Sequence, residues 1–201
     1  MNAARGGPVI GDDGLARCPW GDQPADLRRY HDDEWGVPVR ARDQLFERLT
    51  LEAFQSGLSW LTVLRKRDRF REVFAGFDVE SVAAFDDDDV ARLLTDPGII
   101  RNRAKVEATV ANARAVQALD VDLVDLLWSF APAPQPGVGS VARPAPQTLS
   151  DLAATSPESI AMAKRLKREG FRFVGPTTAY ALMQATGMVD DHLGGCWARR
   201  S

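Results

Sequence analysis

The sequence predicts an all-α fold, and three observations support this prediction. Apolar residues recur at helical spacing, typical N-cap residues precede several of these segments, and no segment alternates apolar and polar residues as a strand would. With 201 residues, of which 45% are apolar, the chain is long enough to form a domain with a hydrophobic core. We expect a flexible tail over residues 1–17 and a single helical domain over residues 18–201, which could divide into two lobes.

The elements follow from local composition and from N-cap residues. Residues 18–38 are rich in Pro, Gly and Asp, which predicts irregular backbone with a single helical turn. Residues 131–147 contain five prolines and two glycines, which predicts a loop or extended connection. The segments with helical periodicity predict helices over residues 43–56, 59–75, 79–85, 87–95, 102–119, 121–130, 157–170 and 176–185.

The charge pattern argues against a large surface that grips phosphates without regard to sequence, because the net charge is −3. The acidic run Asp86–Asp89 has a local explanation, since acidic residues are favourable at helix N-termini. Each basic cluster, taken alone, is better explained as a solvated helix face. These clusters comprise Arg65, Lys66, Arg67, Arg69, Arg71, Arg101, Arg103, Lys105, Lys164, Arg165, Lys167, Arg168 and Arg172.

The chain contains neither a recognisable secretion signal nor a membrane-spanning segment. The first fourteen residues lack an apolar core, and no apolar run reaches the roughly 18 residues that are needed to cross a bilayer. We therefore expect a cytoplasmic protein without a membrane partner.

Glu52 lies on the apolar stripe of the predicted helix over residues 43–56. That stripe consists of the positions i, i+4, i+7 and i+11, which are Leu45, Leu49, Glu52 and Ser56. A lone carboxylate at a core position costs several kcal/mol unless a partner meets it. An arginine elsewhere could satisfy Glu52 structurally. Alternatively, the Gly57 break and Trp60 just beyond it could form, with Glu52, a pocket for a flat, electron-poor or cationic ligand.

A helix, a short glycine-bearing hairpin and a second helix are predicted over residues 157–186. Such a hairpin can present successive backbone N–H groups to a phosphate at a helix N-terminus, without any net positive charge. An ordinary hairpin between two helices produces the same pattern, and from the pattern alone it is the simpler explanation.

Two cysteines and two histidines lie near the two ends of the chain, at Cys18, His31, His192 and Cys196. Thiolate and imidazole are the preferred ligands of zinc, and His192 and Cys196 are one helical turn apart. A Cys18–Cys196 disulfide is one alternative, which a cytoplasmic location disfavours, and hydrogen-bonded core histidines are another. Four protein ligands would leave no position for water, so a bound zinc would be structural.

Longer motifs extend over nearly the whole chain from Cys18 to Cys196. They are CPW at 18–20, YHDDEWGVP at 30–38, LEAFQSGLSW at 51–60, DPGIIRNRAK at 96–105, WSF at 128–130, GFRFVG at 170–175, MQA at 183–185 and VDDH at 189–192. Together these motifs resemble those of the type I 3-methyladenine DNA glycosylase family.

The resemblance implies a helix-hairpin-helix fold with one structural zinc that joins the N- and C-terminal segments. It also implies a monomer that flips 3-methyladenine out of alkylated double-stranded DNA and hydrolyses its N-glycosidic bond. The catalytic, base-recognising carboxylate would be Glu52. The substrate-binding aromatic residues would be Tyr30, Trp60, Trp35 and Trp20. The zinc ligands would be Cys18, His31, His192 and Cys196. The DNA contacts would be Ser56, Gly57, Leu58, Arg172, Val174, Gly175 and Thr177.

The chemistry of the methylated base agrees with these residue types. The base is cationic and leaves as a neutral molecule, so strong acid catalysis is unnecessary. Trp60 can stack on the base, and Glu52 can accept hydrogen bonds from its exocyclic amine. Asp190 and Asp191 are expected to have supporting roles beside His192. The hairpin is followed by Pro176, Thr177 and Thr178 rather than by lysine, which argues against lyase activity.

Two other classes of function are compatible with parts of this pattern. A non-catalytic lesion-binding protein could use the same pocket and hairpin, although the Glu52–Trp60 pair favours catalysis. A zinc hydrolase is opposed by the full set of four protein ligands.

Overall fold

The protein is mostly helical in the computed structural model, which describes residues 6–132 and 144–200. Its helices are α1 (Ala25–Asp33), α2 (Arg42–Gln55), α3 (Trp60–Val73), α4 (Val79–Ala83), α5 (Asp87–Thr95), α6 (Arg103–Gln117), α7 (Leu123–Trp128), α8 (Pro157–Arg168) and α9 (Pro176–Ala185). No helix in the described ranges is long and apolar enough to span a membrane. These helices confirm the prediction of a mostly helical fold.

A two-stranded antiparallel hairpin lies at the start of the described chain, where no strand is predicted. β1 (Val9–Ile10) pairs with β2 (Ala16–Arg17), so that Val9 lies opposite Arg17 and Ile10 opposite Ala16. Arg17 is buried and bonds to both Asp13 and Asp32. Residues 9–17 therefore form a β-hairpin within the segment for which the sequence predicts a tail.

The prediction of irregular backbone over residues 18–38 is wrong for α1. This helix has nine residues instead of a single turn, and it buries Tyr30 and His31. Its N-cap is Pro24, and the three-residue 3-10 turn Pro19–Gly21 precedes it. The prolines and glycines that predict irregular structure lie near the two ends of residues 18–38. Residues 25–33 contain neither, so they can form a helix.

Most of the other helices begin at the predicted N-cap residues. At the start of α3, α4, α5, α6 and α8, a side-chain oxygen of the N-cap residue accepts a hydrogen bond from a backbone N–H. These N-cap residues are Ser59, Asp78, Asp86, Asn102 and Ser156. The aspartate run forms a capping box between Asp86 and Asp89, which confirms its local explanation. Helix α2 is the exception, because it follows Ala41 and includes Asp43 in its first turn.

The chain divides into two compact units. The terminal unit comprises residues 1–38, 131–154 and 183–201, and the central unit comprises residues 39–130 and 155–182. Of the predicted loop over residues 131–147, residues 133–143 lie outside the described ranges. The terminal unit contains the β-hairpin, α1 and the segment that follows α9.

The core of the central unit contains a set of packed phenylalanine rings. In this unit α2 packs on α3, and α4 and α5 pack on α6. Neighbouring rings lie 4.6–6.4 Å apart, measured between centroids, and belong to Phe46, Phe54, Phe70, Phe74, Phe77 and Phe85. These aromatic contacts pack α2, the helix that carries Glu52, against α3.

Candidate active site and cysteine–histidine group

Glu52 lies in the interior of the central unit, as its position on the apolar stripe of α2 predicts. Its side chain is only 6% exposed. Burial raises the pKa of Glu52 to about 8, and the charge of Arg48 one turn earlier acts in the opposite direction. Arg48 therefore stabilises the ionised form of Glu52, as the hypothesis of a structural arginine partner predicts. Because desolvation outweighs it, the carboxylate remains far from its ordinary titration range.

The loop after α2 exposes an apolar side chain. Helix α2 ends at Gln55, and Gly57 adopts a φ of +81°, which an L side chain rarely tolerates. Leu58 follows and is 42% exposed. The next residue, Ser59, caps α3, whose first residue is Trp60. The predicted helix break between Glu52 and Trp60 is therefore confirmed.

Lys105 supports this loop, although the sequence assigns it to a solvated basic cluster. Its Nζ donates to the carbonyl of Phe54 at 2.9 Å and to that of Ser56 at 2.6 Å. The side chain is buried, and burial lowers its pKa. The solvated-face interpretation is wrong for Lys105 and for Arg67, which is also buried. The burial of Lys105 depends on how α6 packs against the loop after α2, which helical periodicity alone does not reveal.

Other basic residues of these clusters form ion pairs at the surface. Arg69 lies 2.7 Å from Asp96, Arg71 lies 2.8 Å from Glu47, and Arg165 lies 2.5 Å from Glu169. The pairs of Arg69 and Arg165 are compatible with the solvated-face interpretation and contribute little to stability, whereas Glu47, the partner of Arg71, is buried.

The predicted hairpin lies between α8 and α9. Gly170 and Phe173 both have positive φ, +89° and +56°. Among the predicted DNA contacts here, Arg172, Gly175 and Thr177 are exposed, whereas the side chain of Val174 is buried. A Cβ added at Gly175 would meet no atom within 4 Å, so the backbone there is open to approach. The buried side chain of Val174 leaves only its backbone groups for a contact with DNA.

Three predicted aromatic residues, Tyr30, Trp20 and Trp35, lie in the terminal unit. Tyr30 is buried, and its ring centroid is 6.4 Å from that of Trp20. Trp20 and Trp35 pack edge to face at 4.9 Å. The two tryptophans also contact histidine rings, Trp20 that of His31 at 5.1 Å and Trp35 that of His192 at 4.6 Å. The tryptophans therefore form part of the packing around the histidines.

The cysteines and histidines of the terminal unit form one buried group. Ligand atoms of Cys18, His31 and Cys196 lie within 4.8 Å of one another. Nε2 of His31 is 3.5 Å from Sγ of Cys196. His192 lies beside this set of three, with its ring centroid 5.0 Å from that of His31. Both cysteines are free, so the structure does not contain the alternative disulfide.

Carboxylates orient both histidine rings in the same way. Oδ1 of Asp32 lies 2.8 Å from Nδ1 of His31, and Oδ1 of Asp190 lies 2.8 Å from Nδ1 of His192. In each ring this leaves Nε2 for another partner, and Nε2 of His192 is buried without a hydrogen bond in the described chain. Histidines that bind metals have this arrangement. Asp191 instead accepts a hydrogen bond from Gln184 at 2.8 Å.

The pKa shifts of the two thiols and the close approach of two glycines are consistent with a metal-binding role for the cysteine–histidine group. The pKa of Cys196 is lowered, chiefly by a hydrogen bond from Cys18, whereas that hydrogen bond and burial raise the pKa of Cys18. A Cβ at Gly21 would lie 2.4 Å from the ring of His31, and one at Gly36 would lie 2.8 Å from the ring of His192. These glycines allow the backbone to approach both rings closely. The donors are the sulfur and imidazole types that bind soft metals.

Comparisons with known sequences give a consistent result. A sequence model described as methyladenine glycosylase matches residues 20–200. The DNA-3-methyladenine glycosylase 1 of Escherichia coli is 44% identical over 185 residues, which cover 90% of this chain and 96% of that protein. The DNA-3-methyladenine glycosylase of Haemophilus influenzae is 41% identical over 188 residues, which cover 92% of this chain and 98% of that protein.

Solved structures are similar over the same extent. A crystal structure of a 3-methyladenine DNA glycosylase I matches with a TM-score of 0.85 at 43% identity and covers 92% of this chain and 100% of that chain. A Staphylococcus aureus 3-methyladenine DNA glycosylase I, solved to explain its recognition of 3-methyladenine, matches with a TM-score of 0.82 at 33% identity. That match covers 92% of this chain and 97% of the other. Since sequence and structure agree over nearly the whole chain, the chain belongs to the methyladenine glycosylase family.

Proposed function

We propose that this protein flips 3-methyladenine out of alkylated double-stranded DNA and hydrolyses its N-glycosidic bond. Membership of the family and the names of the relatives support this reaction. The observation that carries it is Glu52, a carboxylate buried on α2 whose pKa burial raises to about 8. A buried carboxylate of this kind gains a favourable partner when a cation enters beside it.

The substrate supplies much of the driving force. Methylation at N3 places a positive charge on the base and weakens the bond between N9 and C1′ of the deoxyribose. Water attacks C1′, the bonding electron pair moves to N9, and the base leaves as neutral 3-methyladenine. The attacking water loses its proton to solvent, which leaves an abasic site. The protein's main tasks are therefore to extrude, bind and orient the base.

Glu52 and Trp60 would carry out the recognition. The ionised carboxylate accepts a hydrogen bond from the exocyclic amine and attracts the cationic base. The indole of Trp60 stacks on the base and adds a cation–π attraction. Tyr30 is a further proposed base contact. We assign Trp20 and Trp35 a supporting role, because they pack against Tyr30 and the two histidines.

Two segments of the central unit would bind the DNA. The loop Ser56–Leu58 is suited to fill the space left by the flipped base, since it exposes Leu58. The hairpin, a helix-hairpin-helix element in this proposal, would bind backbone phosphates through N–H groups around Gly175 and Thr177, next to the exposed Arg172. Because no lysine follows the hairpin, we propose hydrolysis without lyase activity.

One zinc ion would be held by Cys18, His31, His192 and Cys196. The buried Nε2 of His192 and the pair of thiols fit that ion. When bound, zinc would contribute its binding free energy to the folded state and take no part in hydrolysis. Asp32 and Asp190 would orient the histidine rings.

The direct test is release of free base from methylated duplex DNA, followed by chromatographic separation of the products. We expect the wild-type protein to release 3-methyladenine and Glu52→Gln to lose activity by roughly 10- to 100-fold, the scale of a hydrogen bond to a charged group. Glu47→Gln is the matched control, since Glu47 is also a buried glutamate on α2 but pairs with Arg71. That variant should retain normal activity per folded molecule.

Three results would contradict the proposal. A wild-type protein that binds methylated DNA without releasing base would be a lesion-binding protein. Equal losses of activity in Glu52→Gln and Glu47→Gln would mean that Glu52 has only a structural role. Strand cleavage at the abasic site by the purified protein would contradict the proposed absence of lyase activity.

A further inference from the structure

Two buried polar side chains on α6 have no role in the function proposed above. Lys105 is 6% exposed and Asn112 is 1% exposed. They are seven residues apart, which places both on one face of the helix, about 10 Å apart along its axis. Lysine is almost never buried unless it is paired, so its partners indicate what it does.

Lys105 holds the end of α2. The carbonyls that it contacts, those of Phe54 and Ser56, belong to the last turn of α2 and to the loop that follows. Carbonyls at a helix C-terminus lack partners within the helix, and a cation there is favourable. The ammonium group thus fixes the backbone on both sides of Gln55, immediately before Gly57 and Leu58.

Asn112 holds the hairpin in a similar way. Its Oδ1 accepts the backbone N–H of Arg172 at 2.7 Å, and its Nδ2 donates to the carbonyl of the same residue at 3.1 Å. The residue that follows is Phe173, whose φ of +56° is a genuine outlier for a bulky side chain. Both hydrogen bonds are made by the buried side-chain amide of Asn112, so α6 restrains the backbone of the hairpin.

Each of the two restrained segments exposes one large apolar side chain. Leu58 is 42% exposed and Phe173 is 41% exposed. A single exposed apolar residue needs no explanation, but Phe173 also has a strained backbone. Phe77 shares the left-handed conformation and is fully buried, so core packing accounts for it. In the free protein, burial in the core does not offset the backbone strain at Phe173, because its side chain is exposed.

We propose that α6 is a rigid spacer that sets two DNA-contacting segments at a fixed separation, with Lys105 and Asn112 as positioning residues. Leu58 and Phe173 are the two apolar contacts, and both act on one damaged duplex. This inference rests on the proposed function and adds Phe173, Lys105 and Asn112 to its residues.

The charges around the hairpin agree with a nucleic-acid partner. Arg172, next to Phe173, is exposed, and so are three basic residues of α8, Lys164, Lys167 and Arg168. These side chains are suited to contact phosphates, while Phe173 packs against a sugar or a base edge in the minor groove. Asn112 thus keeps the strained backbone at Phe173 in the conformation that contacts DNA.

The experiment compares Lys105→Met and Asn112→Ala with the wild-type protein. The affinity for a duplex containing an abasic-site analogue is measured by fluorescence anisotropy, and that for free 3-methyladenine by calorimetry. We expect about a tenfold loss for the duplex and little change for the base, together with a raised KM and a nearly unchanged kcat for base release. Lys105→Arg, which retains charge and donors, should recover part of the loss.

Lys66→Met is the matched control. Lys66 also donates to two backbone carbonyls, those of Pro97 and Gly98, at 2.9 and 3.2 Å. That turn has no role in the proposal, so this variant should bind the duplex like the wild-type protein. An equal loss in Lys66→Met would show that removal of any such lysine weakens binding through general destabilisation, which would overturn the inference.

Phe173→Gly tests the inference even if the α6 variants fold poorly. Glycine adopts positive φ without strain, so this variant should be at least as stable as the wild-type protein while its affinity for the duplex falls. In a double-mutant cycle, Asn112→Ala should have little further effect on duplex affinity once Phe173 is glycine. Unchanged duplex affinity in Phe173→Gly, or fully additive losses in the cycle, would overturn the inference.

The outcomes separate this inference from the proposed function. A wild-type protein that fails to release base disproves the proposed activity, whereas the anisotropy measurements still report on the two apolar contacts. Normal base release combined with wild-type duplex affinity in all three variants disproves the inference alone.

Discussion

The unusual titration of Glu52 results from its position on α2. Desolvation raises its pKa to about 8, and the favourable charge of Arg48 is too weak to restore the ordinary value of 4.5. At neutral pH the carboxyl group of the free protein is therefore largely protonated, and a cationic base would favour the ionised form. Binding of such a base should consequently release a proton from the protein.

The first prediction concerns the stability of Glu52→Gln. Glutamine has the same shape and cannot ionise, so the variant should unfold at the same free energy as the wild-type protein, or higher, at pH 7. Glu47→Gln should lose roughly 1–3 kcal/mol, because its ion pair with Arg71 is broken. Urea unfolding measures both values. A loss of several kcal/mol in Glu52→Gln would identify Glu52 as a structural ion-pair partner.

The second prediction concerns the pH dependence of the same variant. The folded-state pKa of Glu52 lies above its unfolded value, so its contribution to stability is fully present below pH 4.5 and is lost as the pH rises through about 8. Relative to Glu52→Gln, the wild-type protein should lose about 1 kcal/mol for each pH unit in that window. Unfolding of both proteins at several pH values between 4.5 and 9 measures the difference. Parallel stability curves would contradict the raised pKa.

The sequence predicts Glu52 better than it predicts Lys105 or Asn112. The position of Glu52 follows from its register on a single helix, and that register is a local property. Lys105 instead bonds to carbonyls 51 and 49 residues earlier, and Asn112 bonds to a residue 60 positions later. Such partners depend on which elements pack together, and periodicity carries no information about that.

At the scale of elements, N-cap chemistry is the most reliable signal in this chain. Six helices of the described ranges, α3 to α8, begin after a residue whose side chain accepts a backbone N–H, because the cap satisfies N–H groups that the helix itself leaves unpaired. Helix α1 follows Pro24 and has no side-chain cap, so this signal is missing and the helix is underestimated. The two-residue strands are too short to show alternation.

The third prediction concerns the loop at the end of α2. Gly57 has a φ of +81°, which a β-branched residue cannot adopt without strain, so Gly57→Val should displace Leu58. We expect the affinity for an abasic-site duplex to fall by about tenfold, and the affinity for free 3-methyladenine to change much less. Anisotropy and calorimetry measure these two quantities. Equal losses for both ligands would indicate collapse of the region around Glu52.

A Cβ at Gly57 would meet no atom within 4 Å, so the effect of the substitution should come from the backbone alone. Gly57→Ala serves as the graded comparison, because alanine is less strained at positive φ than the β-branched valine. Gly57→Ala should therefore lose less stability and less duplex affinity than Gly57→Val.

At the scale of the whole molecule, the cysteine–histidine group connects segments that are far apart in sequence. The backbone N–H of Leu193 donates to Sγ of Cys18 at 3.3 Å, across 175 positions of the sequence. A metal bound there would link these distant segments only in the folded protein, so its binding free energy would add to the stability of the fold. The composition of two cysteines and two histidines predicts this grouping, and the supporting carboxylates Asp32 and Asp190 adjoin or nearly adjoin the histidines in sequence.

The fourth prediction concerns removal of the metal. One zinc per chain should co-purify, and chelation should lower Tm by about 10 °C, because the site forms only in the folded protein. Elemental analysis and thermal unfolding measure these effects. In a Cys18→Ser/Cys196→Ser variant, the chelator should leave Tm unchanged. A metal-free protein whose Tm does not respond to added zinc would contradict the assignment.

The hairpin at the start of the described chain and the segment near its end are in direct contact. The backbone N–H of Trp197 donates to the carbonyl of Ala16 at 2.9 Å, and the guanidinium of Arg17 lies 6.0 Å from the indole ring of Trp197. A purification tag fused upstream of this hairpin or downstream of Trp197 would therefore be tethered to segments that adjoin Cys18 and Cys196. An oligohistidine tag tethered there would reach an effective concentration on the order of millimolar and would compete with this group for a metal ion. The metal content of a tagged protein would then include ions bound by its tag.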